Sequence, residues 1–124
     1  MIQLSRPDPE RLRGHTLWLL RFERSLPAIE SAINGLRLER DRWRGTVLRR
    51  GCIEAQQTLE ALDRSELLRG AEYAFVRDIA DALDELERAA VACRGERYFE
   101  LDYRLRVGRS TLIRVCERAR LIGR

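Results

Sequence analysis

Lysine is absent from this chain: all 24 basic residues among its 124 are arginine. High-GC coding accounts for such a bias cheaply. It still has a physical consequence, because guanidinium groups are weakly hydrated and bind phosphate or carboxylate in bidentate fashion. Histidine occurs once, at His15, which leaves few ways to assemble a nucleophile and its base. Cys52, Cys93 and Cys116 are odd in number and far apart, so with a single imidazole they form no zinc ligand set. Each falls among apolar helical positions and reads as a reduced core residue. With only 3 prolines and no polar low-complexity tract, long disorder is not expected. No apolar run approaches the ~18 residues of a membrane span. The opening MIQLSRPDPERLRG lacks the apolar core of a signal peptide, and a cytoplasmic location is expected. No glycines stand in GxxxxGK or GxGxxG spacing, which removes the phosphate-loop enzymes. The expectation is therefore a protein that is not an enzyme and takes no cofactor and no metal.

What is present is helical patterning. Across residues 64–94, Leu68, Ala71, Phe75, Ile79, Ala82, Leu86, Ala90 and Cys93 recur at intervals of three and four, the spacing of one helix face. Leu83 and Ala89 widen the stripe, and Arg77, Asp81, Asp84, Glu85 and Arg88 fall opposite. Asp63, followed three residues later by Glu66, reads as a capping box at the start. Gly95 reads as the left-handed stop. So long an apolar stripe must be covered by the rest of the chain or by a second copy, so a homo-oligomer is compatible with the pattern.

Further helices are expected on both sides. Asp8 and Pro9 open the first, which runs to about Arg24 with Leu12, Thr16, Leu19, Phe22 and Leu26 inward and His15 at the edge. Ser25 and Pro27 open the second. Its stripe, Ile29, Ile33, Leu36, Trp43 and Val47, is replaced by another, Leu48, Cys52, Ala55, Leu59 and Leu62, rotated by roughly a quarter turn. A bend or break near Gly45 or Gly51 explains that jump, although one long helix that changes partners does so too. Residues 26–62 are thus one helix or two.

The end of the chain is ambiguous. From Phe99 to Val107, FELDYRLRV alternates apolar and charged residues, as a half-buried strand does. A short β-hairpin over about 98–116, turning at Gly108, is the alternative to helix. A third reading concerns LRVGRSTLIRVCERARLIG, which resembles the second half of a helix-turn-helix. Leu101, Leu105, Val107, Leu112 and Val115 fall where that motif has apolar residues, while Asp102 and Arg106 depart from it. The resemblance implies that Arg109, Arg114 and Arg118 face a DNA groove. The fold expected overall is a single all-α domain over 1–124, a bundle of four or five helices.

Charge is unevenly placed. Residues 1–52 hold 11 arginines against 6 acids, net +5; residues 53–102 hold 6 against 13, net −7; residues 103–124 hold 7 against 1, net +6. A basic surface offered to a polyanion and internal neutralisation within a bundle both fit that distribution. Residues 37–50 group six arginines around Trp43. They are suited to stacking on bases or gripping phosphates. Alternatively, Trp43 plugs the core and the arginines pair with Glu39 and Asp41. Acidic pairs such as Asp78 with Asp81, or Asp81 with Glu85, sit where any amphipathic helix places its solvated charges. The expected role is association with nucleic acid or a nucleoprotein through Arg37, Arg40, Arg44, Arg104, Arg106, Arg109, Arg114 and Arg118. The alternative is an adaptor, inhibitor or chaperone that binds a partner protein through a helical face. In length, charge and expected helicity the chain is similar to basic helical-bundle accessory proteins of reverse transcriptases, without their sequence signatures.

Overall fold

The computed structural model describes residues 17–64 and 72–122. Within them lie five helical segments and no strand: α1 (Leu17–Glu23), α2 (Leu26–Leu38), α3 (Arg42–Arg64), α4 (Glu72–Arg94) and α5 (Tyr98–Ile122). Asp8, Pro9, Leu12, His15, Thr16, Glu66, Leu68, Gly70 and Ala71 lie outside the described residues.

The four longer helices alternate in direction. Gly51 of α3 faces Ile29 of α2, whereas Gly35 of α2 faces Arg44 of α3, so these two run antiparallel. Gly45 of α3 lies against Ala90 and Cys93 of α4, and Arg49 reaches Glu87 at 3.6 Å. That pair is antiparallel too. The most extensive packing joins α4 to α5, followed by α3 to α4 and α2 to α3, with α1 lying mainly on α3. The result is an up-down-up-down bundle, the arrangement short connections favour.

Its core follows the sequence stripes except at Trp43 and Val47, which were expected in line with Ile29, Ile33 and Leu36 and are exposed. Ile79, Ala82, Leu83, Leu86, Ala89, Ala90 and Cys93 of α4 are buried, and α3 and α5 of the same chain cover them. Leu48, Cys52, Ala55 and Leu59 of α3 are buried beside Ile29, Ile33 and Leu36 of α2, with Leu19 and Phe22 of α1 closing the end. Each such aliphatic side chain contributes about 1.5–3 kcal/mol on leaving water.

Element boundaries differ from the sequence expectation at three places. First, the break in 26–62 falls at Glu39–Asp41, and Gly45 and Gly51 both lie inside the continuous α3. Glu39 is extended, at φ −136° and ψ 121°. Asp41 restarts the helix: its Oδ1 accepts from the Arg44 N–H at 2.8 Å, which satisfies one of the free amides of the first turn. Second, α3 runs through Asp63 to Arg64, and the Glu66 of the expected capping box lies outside the described residues. Third, the left-handed residue after α4 is Glu96, at φ 59°, one position beyond Gly95. The Arg97 N–H donates to Ala92 O at 2.9 Å and the Glu96 N–H to Cys93 O at 3.1 Å, the paired bonds of a Schellman motif. Ser25 stands at the N-cap of α2 but makes no side-chain cap bond there.

Residues 98–122 form one uninterrupted helix. This excludes both the hairpin and the helix-turn-helix turn. Gly108, the expected turn residue, is buried in mid-helix. A Cβ there would stand 2.8 Å from Leu86 Cγ and Cδ2 and 3.2 Å from Ala82 O. The glycine lets α5 approach α4; it turns nothing. No helix among the described residues is long and apolar enough to cross a membrane.

Candidate nucleic-acid interface

The bundle closes tightly on three sides and loosely on the fourth. Between α2 and α5 the backbones stay apart, and long polar side chains span the gap. Arg40 Nη2 meets Asp102 Oδ2 at 2.8 Å. Arg109 reaches Glu30 Oε1 through Nε at 2.8 Å and Nη2 at 2.7 Å. Beyond the start of α2, Arg120 Nε meets Glu23 Oε1 at 2.6 Å. The partners run 40 to 102, 30 to 109 and 23 to 120, a ladder set by the antiparallel pairing of the N-terminal helices with α5.

The gap is a groove of about 480 Å³ lined by Ile33, Arg37, Arg40, Asp102, Leu105, Arg106, Arg109 and Ser110. Four arginines and one acidic residue thus line it, with Glu30 held on Arg109 at its edge. Helical geometry explains the grouping on α5. Asp102, Arg106 and Arg109 follow at four and three residues along that helix and so share a face, while Arg37 stands in the last turn of α2 and Arg40 in the linker that follows it. Arg40 also lies over the Tyr98 ring, 5.4 Å from its centroid, and Arg106 lies 6.0 Å from that of Tyr103.

The eight arginines singled out in the sequence divide evenly. Arg40, Arg44, Arg104 and Arg109 are held by the chain's own carboxylates. Arg44 takes Glu39 at 3.3 Å and Asp41 at 3.6 Å; Arg104 takes Glu85 at 2.7 Å and Glu100 at 3.2 Å. Hydrogen bonds donated to Glu85 and Glu100 push the pKa of the Arg104 guanidinium above its ordinary value, and the bond donated to Glu30 does the same for Arg109. Conversely, the hydrogen bond from Arg104, aided by Arg97, holds the Glu100 carboxyl below the usual range. Arg37, Arg106, Arg114 and Arg118 make no ion pair within 4 Å among the described residues. Of these, Arg37 and Arg106 line the groove, whereas Arg114 and Arg118 lie further along α5 on exposed positions.

Trp43 does not plug the core: two-thirds of it is exposed (66%), because it sits in the first turn of α3 beside the exposed Arg42. The pairing of Arg44 with Glu39 and Asp41, which had been linked to a buried Trp43, occurs all the same. Sequence patterning also missed Asp102 and Tyr98 as the groups that orient Arg40. The acidic face of α4 carries its own cation, with Arg88 Nε 3.0 Å from Asp84 Oδ2. No cluster of three or more metal-ligating side chains occurs among the described residues.

No family model, curated protein or solved structure matches the chain.

Proposed function

We propose that this chain is a non-catalytic helical protein that associates with nucleic acid or a nucleoprotein through the groove between α2 and α5. One observation carries the reading: Arg37, Arg40, Arg106 and Arg109 line one groove, where Asp102 and Glu30 pair only Arg40 and Arg109. Guanidinium forks in that arrangement suit bidentate contact with phosphate oxygens. Arg40 and Arg109, already oriented by their partners, hold the walls in place, and Arg37 and Arg106 supply the charge that is left over. Contacts of this kind position a polyanion without reading its sequence.

The test is binding of a fluorescently labelled oligonucleotide, followed by anisotropy as salt rises from about 50 to about 200 mM. Each phosphate neutralised adds about one to the slope of log affinity against log salt. The expected result is a steep loss of affinity, with a slope reduced by about two in the Arg37→Ala/Arg106→Ala variant. No binding at about 50 mM salt removes the proposal. The second reading is a protein–protein adaptor. It is favoured by the pairing of Arg40, Arg44, Arg104 and Arg109 with internal carboxylates, which lowers the charge offered to a polyanion. A defined protein complex that survives nuclease treatment distinguishes it.

A further inference from the structure

Aromatic residues are scarce in this chain, 8 in all, and a scarce resource of this kind is ordinarily spent on the core. Here it is not. Among the described side chains only Phe22 is fully buried and Phe75 partly so; Tyr73, at the start of α4, is 47% exposed. Trp43 is 66% exposed, Phe99 90%, Tyr103 50% and Tyr98 37%. These four share one end of the bundle. Trp43 opens α3 and Tyr98 and Phe99 open α5. The Arg40–Asp102 pair ties the segment before α3 to the first turns of α5, and the Cys93 thiol at the end of α4 donates to Asp41 O at 3.5 Å. Phe99, Tyr103, Arg106 and Ser110 follow at four, three and four residues, so they form one outward stripe of α5. Ser110 and Arg106 belong to the groove wall, and the two rings continue that wall toward the end of the molecule, about 6 Å apart along the axis.

The charges at this end are not balanced by internal pairs. Glu39 and Asp41 are taken by Arg44, Asp102 by Arg40, and Glu100 by Arg97 and Arg104. Among the described residues this leaves Arg37, Arg42, Arg94 and Arg106 without an ion pair, against Glu96 alone. Exposed rings interleaved with surplus guanidinium groups match the chemistry of unpaired nucleotides, whose bases offer faces to stack on and whose backbone offers phosphates. A duplex hides those faces within its own stack.

We propose, resting on the reading of the groove as a nucleic-acid site, that this aromatic end makes the protein selective for single-stranded over double-stranded nucleic acid. Arg37 and Arg106 hold the backbone, and Phe99 and Tyr103 stack on bases. The experiment uses the full chain with labelled single-stranded DNA, single-stranded RNA and the corresponding DNA duplex, at about 50 mM salt. Wild type is expected to bind one or both single strands at least about 10-fold more tightly than the duplex, the scale of one or two stacked bases. The Phe99→Ala/Tyr103→Ala variant removes only exposed side chains, and its helical melting curve checks that it folds. It should lose that preference and keep its duplex affinity, whereas Arg37→Ala/Arg106→Ala should lose affinity for all three probes. Equal or tighter duplex binding by wild type, or an unchanged preference in the aromatic variant, overturns the inference and leaves the groove reading standing. Failure of all three probes to bind overturns both, and the exposed rings then belong to a protein contact.

Discussion

At the scale of single residues, the glycines of α3 and α5 look alike in sequence and differ in consequence. A methyl at Gly51 would meet only Ile29 Cγ1, at 3.6 Å, an ordinary contact. Gly51→Ala should therefore stabilise the fold by up to about 1 kcal/mol, the difference in helix propensity. A methyl at Gly108 would drive into Leu86, which is fully buried and cannot swing away, and against a carbonyl of α4. Overpacking of that kind costs about 1–3 kcal/mol, so Gly108→Ala should destabilise despite its better propensity. Urea unfolding of the two variants checks both signs. The cysteines give a third expectation. Burial, with a smaller contribution from Glu87, pushes the Cys52 thiol up to about 12; burial, with Glu23, pushes Cys116 up to about 11. In the unfolded chain a thiol ionises near 9.0. Between these values the unfolded state binds fewer protons than the native state, so stability falls as pH rises. Urea midpoints measured in reductant from pH 8 to pH 11 should decline, and Cys52→Ala with Cys116→Ala should flatten the decline.

At the scale of elements, α5 shows what a sequence discloses and what it conceals. The alternation Phe99, Leu101, Tyr103, Leu105 imitates a strand. It is in fact two i, i+4 series offset by two residues: Leu101 and Leu105 face the core, and Phe99 and Tyr103 face out. A pattern reader assumes that apolar residues point inward, and an apolar outward stripe defeats that assumption. The stripe of α4 was legible because every member from Ile79 to Cys93 obeys it. The break between α2 and α3 is not legible in the stripes: Trp43 and Val47, which continue the α2 stripe in sequence, are exposed on α3, the change to the Leu48 stripe falls inside that helix, and it is the Asp41 cap that starts it. The groove was half legible. Its arginines stood out, but pairing across the seam depends on which helices become neighbours, and no local pattern carries that. The seam also makes a quantitative prediction. Arg109 and Glu30 each retain about 40% side-chain exposure, so water screens their attraction. A double-mutant cycle with Arg109→Ala and Glu30→Ala should give a coupling of about 0.2–1 kcal/mol. A coupling several times larger would mean that the pair is far better shielded than its exposure allows.

At the scale of the whole molecule, acidic and basic segments of the sequence are folded against each other, and only a remainder of the charge reaches the surface uncompensated. Part of that remainder, Arg37, Arg42, Arg94 and Arg106, gathers where α2 and α5 part and where the rings of α3 and α5 emerge, and Arg114 and Arg118 lie further along α5, whereas Asp78, Asp81 and Asp84 hold the outer face of α4. A nucleic acid should accordingly choose one side of this bundle. In the proposed contact Arg37 and Arg106 would be the free cations, since neither makes an internal ion pair among the described residues. The most direct measurement is an NMR titration of the isotope-labelled chain with a short oligonucleotide. Amide shifts should move at residues 37–44 and 98–110 and stay still along the exposed face of α4. Shifts confined to α4, scattered evenly over the surface, or absent at low salt would contradict the assignment.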